Sequence, residues 1–346
     1  MHLKEKQGGW FAVPFASYSP ETEWAFGAAG LFYFYMDNEA SNTSRLSNLL
    51  PSVEFTTKKQ MTIELEHDIY LNNSEYRFYG NLGFAKFPFS FYGIGNNTLE
   101  ENEESYTARY FYIESTFIKN FIPDKGSGLN AGIKYEFRSD KLIKKKPGGL
   151  LSSRNIWGNS GGIISGLGII VNWDTRDNTF STFSGEYIEI NGSFFGKYLF
   201  SDYIYNSYNL DARKYFNFPV FDTLHIAAFQ FAANLTSGRP PFYKLATFGG
   251  DENMRGIFQG RFRDNTSFYL QGEYRFHIIW RIGMAAFAGL GEAANKITSF
   301  AINQLKTAYG IGFRFFVIPD EKILARLDFG FSKGEGQMYL SFNEAF

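Results

Sequence analysis

Alternation is the feature that most restricts this chain. Apolar and polar residues exchange places over about sixteen stretches separated by turn chemistry, and no stretch carries a convincing helical period. The stretch 61–71 is among the cleanest. Met61, Ile63, Leu65, His67, Ile69 and Leu71 share one face of a strand, and Thr62, Glu64, Glu66, Asp68 and Tyr70 share the other. Three acids in a row on one face cannot enter a dry core without partners. They fit water, or basic groups, inside a barrel lumen. The stretch 323–333 repeats the pattern, with Ile323, Ala325, Leu327, Phe329 and Phe331 opposite Arg326, Asp328 and Ser332.

The strand-like stretches are 9–17, 24–35, 49–57, 61–71, 76–87, 106–118, 128–139, 163–173, 186–196, 206–216, 223–236, 268–276, 282–292, 307–317, 323–333 and 337–344. Contiguous strands are most simply joined up and down, antiparallel. An even count puts both termini on one side, the periplasmic one in a membrane barrel. The long connections 88–103 and 140–161, and the loop before residue 268, then fall outside the cell. Short turns at 72–73, 123–124, 216–222 and 319–320 fall in the periplasm. Short turns on one side and long loops on the other are the mark of such barrels. The polar linker 37–48 is long for a periplasmic turn, which leaves the placement of the early strands open.

Composition removes several function classes. With no Cys, the chain has no disulfide, thiolate metal ligand, thiol nucleophile or lipidated cysteine. A net charge of -1 makes no electrostatic case for nucleic acid. No apolar run reaches the roughly 18 residues of a membrane helix. A membrane barrel needs only about 9–11 alternating residues per strand. Aromatic residues make up 19% of the chain, an excess suited to the girdles at membrane interfaces. A large soluble β-protein, a propeller or a double sandwich, would show the same composition. The first residues, MHLKEKQGG, hold no signal-type segment. The numbering is therefore expected to start after a removed signal peptide, with Met1, and His2 with it, added for expression. Residues 1–8 are then a short N-terminal segment and 9–346 a single barrel domain.

Between the eleventh and twelfth strands lies a Gly- and Arg-rich loop, 249–264, with no hydrophobic period. Its cations Arg255, Arg261 and Arg263 must meet water or carboxylates. The strand that follows has Tyr269, Gln271, Glu273 and Arg275 on its polar face, so Glu273 is a ready partner. Met254-Arg255-Gly256-Ile257, then GRFRD over 260–264, then QGEYRF over 271–276 resemble the Arg-Gly loop and following strand of the BamA/TamA superfamily, also called outer-membrane-protein-85 or surface-antigen proteins. The string DTRDN over 174–178 is similar too. The resemblance implies an all-β, transmembrane, antiparallel barrel of sixteen strands, with the loop folded back into the lumen. It implies that Arg255 pairs with acids of the inner wall, Glu273 first. The family pattern Phe-Asp-Gly on alternate positions of the next strand reads here Phe287, Gly289, Gly291. The aspartate is missing, and Glu292 is the nearby substitute. The end of the chain, with Tyr339 and Phe346, is similar to the terminal aromatic signal that barrels present to their assembly machinery.

The resemblance covers the barrel of that family and not its periplasmic polypeptide-transport domains. It implies a role in outer-membrane biogenesis, inserting or translocating protein or lipid through a weak seam between first and last strands. The alternative is a passive plugged pore or a structural subunit of a larger outer-membrane complex. Implied partners are outer-membrane lipid and lipopolysaccharide, other envelope proteins, and a second copy; the run Lys144, Lys145, Lys146, if extracellular, would meet lipopolysaccharide phosphates, though such a run is more often simply solvated. Catalysis finds no support. His2, His67, His225 and His277 are scattered, and no nucleophile elbow, zinc motif or phosphate loop occurs. No metal and no cofactor is expected.

Overall fold

Each alternating stretch becomes a strand whose polar face turns inward. The computed structural model describes residues 8–36, 46–122, 128–152, 155–179, 181–220, 223–319, 322–333 and 335–346. The strands are β1 (Gly8–Ser19), β2 (Glu23–Phe34), β3 (Ser47–Thr56), β4 (Met61–Leu71), β5 (Tyr76–Phe91), β6 (Glu104–Asn120), β7 (Gly128–Lys144), β8 (Gly161–Asp174), β9 (Gly185–Phe195), β10 (Tyr205–Val220) and β11 (Thr223–Gly238). Two short strands, β12 (Ala246–Phe248) and β13 (Phe262–Asp264), follow within one connection. Then come β14 (Thr266–Ile279), β15 (Ile282–Ala294), β16 (Lys306–Ile318), β17 (Ile323–Ser332) and β18 (Glu335–Phe342). All but β12 and β13 close one antiparallel barrel of sixteen strands in sequence order, with β1 beside β18. β12 and β13 form a separate hairpin.

Burial decides which face is inside. Ile169 and Ile190 are 61% and 60% exposed, whereas Arg326 is 1% and Asp328 0% exposed. Phe26, Ile63, Phe84, Phe111, Ile133, Phe229 and Phe313 also look outward, and Glu136, Gln230, Gln271, Glu273, Arg275 and Arg314 are buried. A soluble sandwich buries its apolar faces against each other. This barrel does the reverse, the arrangement of a protein whose outer wall meets lipid.

Several strands run further than the alternation indicated. β5 continues from residue 87 to Phe91 and β7 from 139 to Lys144. Pro88 does not end β5, because it stays in register opposite Thr107. Arg138 and Asp140 pair inside β7, which lets a polar stretch remain strand. Likewise β10 reaches Val220, beyond the expected turn at 216. The early strands resolve: β2 pairs β3 from Ala25–Thr56 to Phe34–Ser47. Of the linker 37–48, residues 37–45 lie outside the described residues, as do 1–7 of the N-terminal segment and the expected turn at 123–124. The β4–β5 turn follows its residues, with Asn72 and Asn73 both at positive φ, which asparagine tolerates.

Candidate functional site

The connection from β11 to β14 does not stay at the barrel mouth. Phe248, Met254, Ile257 and Phe262 pack together inside, against Ala232, Tyr269, Ala293 and Ala308 of the wall. These apolar residues carry no period because they serve a loop rather than a strand. The tip turns through Met254 at φ 77° and Gly256 at φ 104°. Gly256 also lets the loop lie on β17: a Cβ there would stand 2.8 Å from the backbone nitrogen of Phe331. The Gly256 N–H donates to the Tyr339 hydroxyl at 3.1 Å, so the loop is tied to the last strand as well.

Arg255 is buried at the centre. Its guanidinium donates to Glu273 of β14 through Nη2 and to Asp328 of β17 through Nη1. Its carbon lies 3.7 Å from the centre of the Phe287 ring on β15. The two acids are shared. Arg314 reaches Glu273 at 3.0 Å and Asp328 at 2.5 Å, Arg275 reaches Glu273 at 2.8 Å, and Arg326 reaches Asp328 at 2.9 Å. Arg314 also holds Glu344 at 2.8 Å, and Arg326 holds Asp251 at 3.0 Å. Four arginines thus face four carboxylates, Glu273, Asp328, Glu344 and Asp251. Removing ions from water costs several kcal/mol each, and only such matching offsets it.

The structure brings Met254, Arg255, Gly256, Ile257, Glu273 and Phe287 together. Gly289 and Gly291 make room for the loop: a Cβ on them would meet Met254 Cγ at 3.4 Å and Met254 Sδ at 2.9 Å. Glu292 is not a partner of Arg255. It sits towards the loop end, in register with Phe268 rather than Glu273, and accepts the Ala301 N–H at 3.1 Å. The second carboxylate is Asp328, two strands further round. Alternation puts Asp328 on a polar strand face beside Arg326, but nothing local connects it with a loop about 70 residues earlier.

The last strand ends earlier than the stretch 337–344 expected from the alternation. The last strand stops at Phe342, Asn343 turns at φ 59°, and Phe346 is buried inside the barrel against Tyr215 and Ala228. Its carbonyl accepts from Arg275 at 2.9 Å. Glu344 pairs with Arg314, so matching charge draws the tail inward. Tyr339 is fully buried beneath the loop and donates to Gln337 at 2.5 Å.

Other expected residues stand apart. His67 packs on Phe78 with ring centres 4.6 Å apart. Glu64 accepts from Asn81 at 2.7 Å. Lys144 and Lys146 are exposed at the loop end, while Lys145 donates to the Asn159 carbonyl at 2.6 Å. In the DTRDN string, Arg176 clasps Asp174 at 3.0 and 2.8 Å, and Asp177 takes Lys322 at 2.5 Å. Glu21, in the β1–β2 turn, accepts the Gln259 N–H at 2.8 Å, and burial pushes its carboxyl above the usual range. Among the described residues no group of side chains is arranged to hold a metal ion.

The seam is the weak part of the wall. β1 pairs β2 over its whole length, Gly8–Phe34 to Ser19–Glu23, but meets β18 in register only at Tyr18–Leu340. Trp10 and Phe11, neighbours in sequence and so on opposite faces, are 71% and 49% exposed.

A family model for the Omp85 superfamily domain matches residues 51–343. The fold is similar to that of BamA from Haemophilus ducreyi lacking POTRA domains 1–3, with a TM-score of 0.67 at 12% identity, covering 98% of this chain and 70% of that one. It is also similar to CdiB from Acinetobacter baumannii, with a TM-score of 0.64 at 11% identity, covering 98% of this chain and 60% of that one. No protein with a curated description matches at a significant level. With the family match running over most of its strands, the chain belongs to the Omp85 superfamily of outer-membrane β-barrels.

Proposed function

We propose that this barrel sits in the bacterial outer membrane and inserts or translocates protein or lipid there, working through the seam between β1 and β18. The observation that carries this is the single registered pair, Tyr18–Leu340. Most of the β1 edge therefore has backbone donors and acceptors without a partner in β18, and such an edge templates an incoming strand. Pro14 removes one donor from that strand. Apolar side chains on both faces of β1 suit a strand that spends part of its time in lipid. The family membership and the likeness to BamA support the same reading. The proposal includes no catalytic step. Lipid, lipopolysaccharide and other envelope proteins are its partners.

The test uses the absence of native cysteine. Residues opposite one another across a β-pair lie within disulfide reach. The variant with Tyr18→Cys and Leu340→Cys is reconstituted in liposomes, reduced or oxidised, and presented with an unfolded barrel protein and a fluorescent phospholipid. Oxidation should stop insertion or transfer and reduction should restore it. Equal activity in both states would remove the seam from the mechanism.

One observation favours a second reading, a plugged pore: the Arg-Gly loop occupies the lumen and is held there by buried ion pairs. Under it, planar-bilayer conductance rises in Arg255→Ala while insertion and lipid transfer are unaffected.

A further inference from the structure

The β12–β13 hairpin leaves a second cation in an unusual position. Arg263 is 6% exposed, and no carboxylate lies within ion-pair distance of it among the described residues. Its Nη2 donates to the Gly260 carbonyl at 2.9 Å and, at 3.5 Å, to that of Ser90. The Tyr106 hydroxyl stands beside it, and the rings of Phe91 and Phe242 lie 5.3 and 5.9 Å from the guanidinium carbon. Its Nε has no partner. Ring faces and carbonyls stabilise a cation but do not neutralise it, and a buried charge without a counter-charge is costly. The contrast with Arg255, Arg275, Arg314 and Arg326, each matched by carboxylates, is sharp. Burial accordingly depresses the Arg263 pKa.

Arg263 borders a cavity of about 640 Å³ at the long-loop end of the lumen, between the hairpin and strands β5–β7. The rings of Phe87, Phe89, Tyr106, Tyr110 and Phe258 form one part of its wall, and charged and polar groups, Lys58 and Arg138 among them, form the rest. Each acid that lines this cavity already accepts at least one hydrogen bond. Asp140 accepts from Nε and Nη2 of Arg138 at 2.8 and 2.7 Å, Glu103 accepts from Ser90 at 2.7 Å, and Glu21 accepts from the Gln259 N–H. The hydroxyl of Tyr243, another lining residue, is buried beside that of Tyr203. A buried guanidinium with no counter-charge, bordering a cavity, calls for an explanation beyond packing.

We propose that this cavity binds a small anion with an apolar or aromatic body, Arg263 pairing with its carboxylate or phosphate and the rings covering the rest. The site is distinct from the Arg255 network, and it does not depend on the seam. A charge-assisted hydrogen bond to a guanidinium orients such a ligand, and the ring-bearing part of the wall covers its apolar body.

Calorimetric titration of the full chain in uncharged detergent tests this with benzyl phosphate, phenylacetate, inorganic phosphate and benzyl alcohol. One of the two aromatic anions should bind, and the neutral alcohol should bind about tenfold weaker or less. Which anion wins identifies the head group. Arg263→Gln should lose about tenfold, with Arg263→Lys recovering part of it. Phe89→Ala should weaken the aromatic anions and leave inorganic phosphate unchanged, and this variant decides the matter should the Arg263 variants fail to fold. Equal binding of benzyl phosphate and inorganic phosphate would overturn the apolar half of the proposal. Equal binding of alcohol and anions, no binding by any probe, or undiminished binding in folded Arg263→Gln would overturn all of it.

Discussion

Arg255 stands over the Phe287 ring, its guanidinium carbon 3.7 Å from the ring centre, while its two terminal nitrogens reach Glu273 and Asp328. One loop residue thus joins three strands of the wall, β14, β15 and β17. The unequal sharing of the acids orders the consequences of mutation. Glu273 serves Arg255, Arg275 and Arg314, so Glu273→Ala strands more charge than Arg255→Ala does. The expected cost is about 3–5 kcal/mol for Glu273→Ala, the range for leaving a buried charge without its partner. Limited proteolysis should cut the 249–264 loop in that variant and spare it in the native chain. Unchanged protection would show that the loop is held by packing alone.

Gly330 tests the close approach of loop and wall. A Cβ there would stand 2.6 Å from the Gly256 nitrogen and 2.7 Å from the Arg255 carbonyl carbon, both backbone atoms that cannot rotate away. Gly330→Ala should displace the loop tip at about 1–3 kcal/mol. Hydrogen exchange at 254–257 would report it. Gly30→Ala is the control, since its nearest neighbour would be at 3.5 Å.

Phe346 separates stability from assembly. Buried against Tyr215 and Ala228, it should cost about 3 kcal/mol or more when changed to Ala, measured by urea unfolding of the barrel already in micelles. An effect on membrane insertion with unaltered unfolding would instead favour the terminal-signal role.

Asp177 carries a pH dependence. Burial alone would raise its pKa, but the Lys322 ammonium and the N–H groups of Ser184 and Phe183 outweigh burial and hold it below the usual value. A carboxyl with a depressed folded-state pKa contributes stability above its unfolded pKa, and that stability is lost as pH falls through the folded value. Exchange in 175–184 should therefore quicken below about pH 4. In Asp177→Asn the tie to Lys322 should be weaker at every pH, without the acid transition.

Much of the architecture was legible in the chain because strand side chains alternate with a period of two and turns declare themselves locally. The run 61–71 became β4 with the same ends, and the loop motif could be recognised from a few adjacent residues. What stayed hidden has one cause. Asp328 and Glu344 lie some 70 and 90 residues beyond Arg255, and nothing local distinguishes a carboxylate that meets water from one that meets a guanidinium across the lumen. Parity likewise names two faces and leaves open which one is wet. Nor could residues 343–346 be seen to leave the wall, since that depends on Arg275 and Arg314 waiting inside. Periodicity and turn chemistry determined the strands, their order and the loop. Closure of the barrel decided the inside, the partners of each buried charge and the weak join at Tyr18–Leu340, because only closure brings distant strands and their charges within reach of one another.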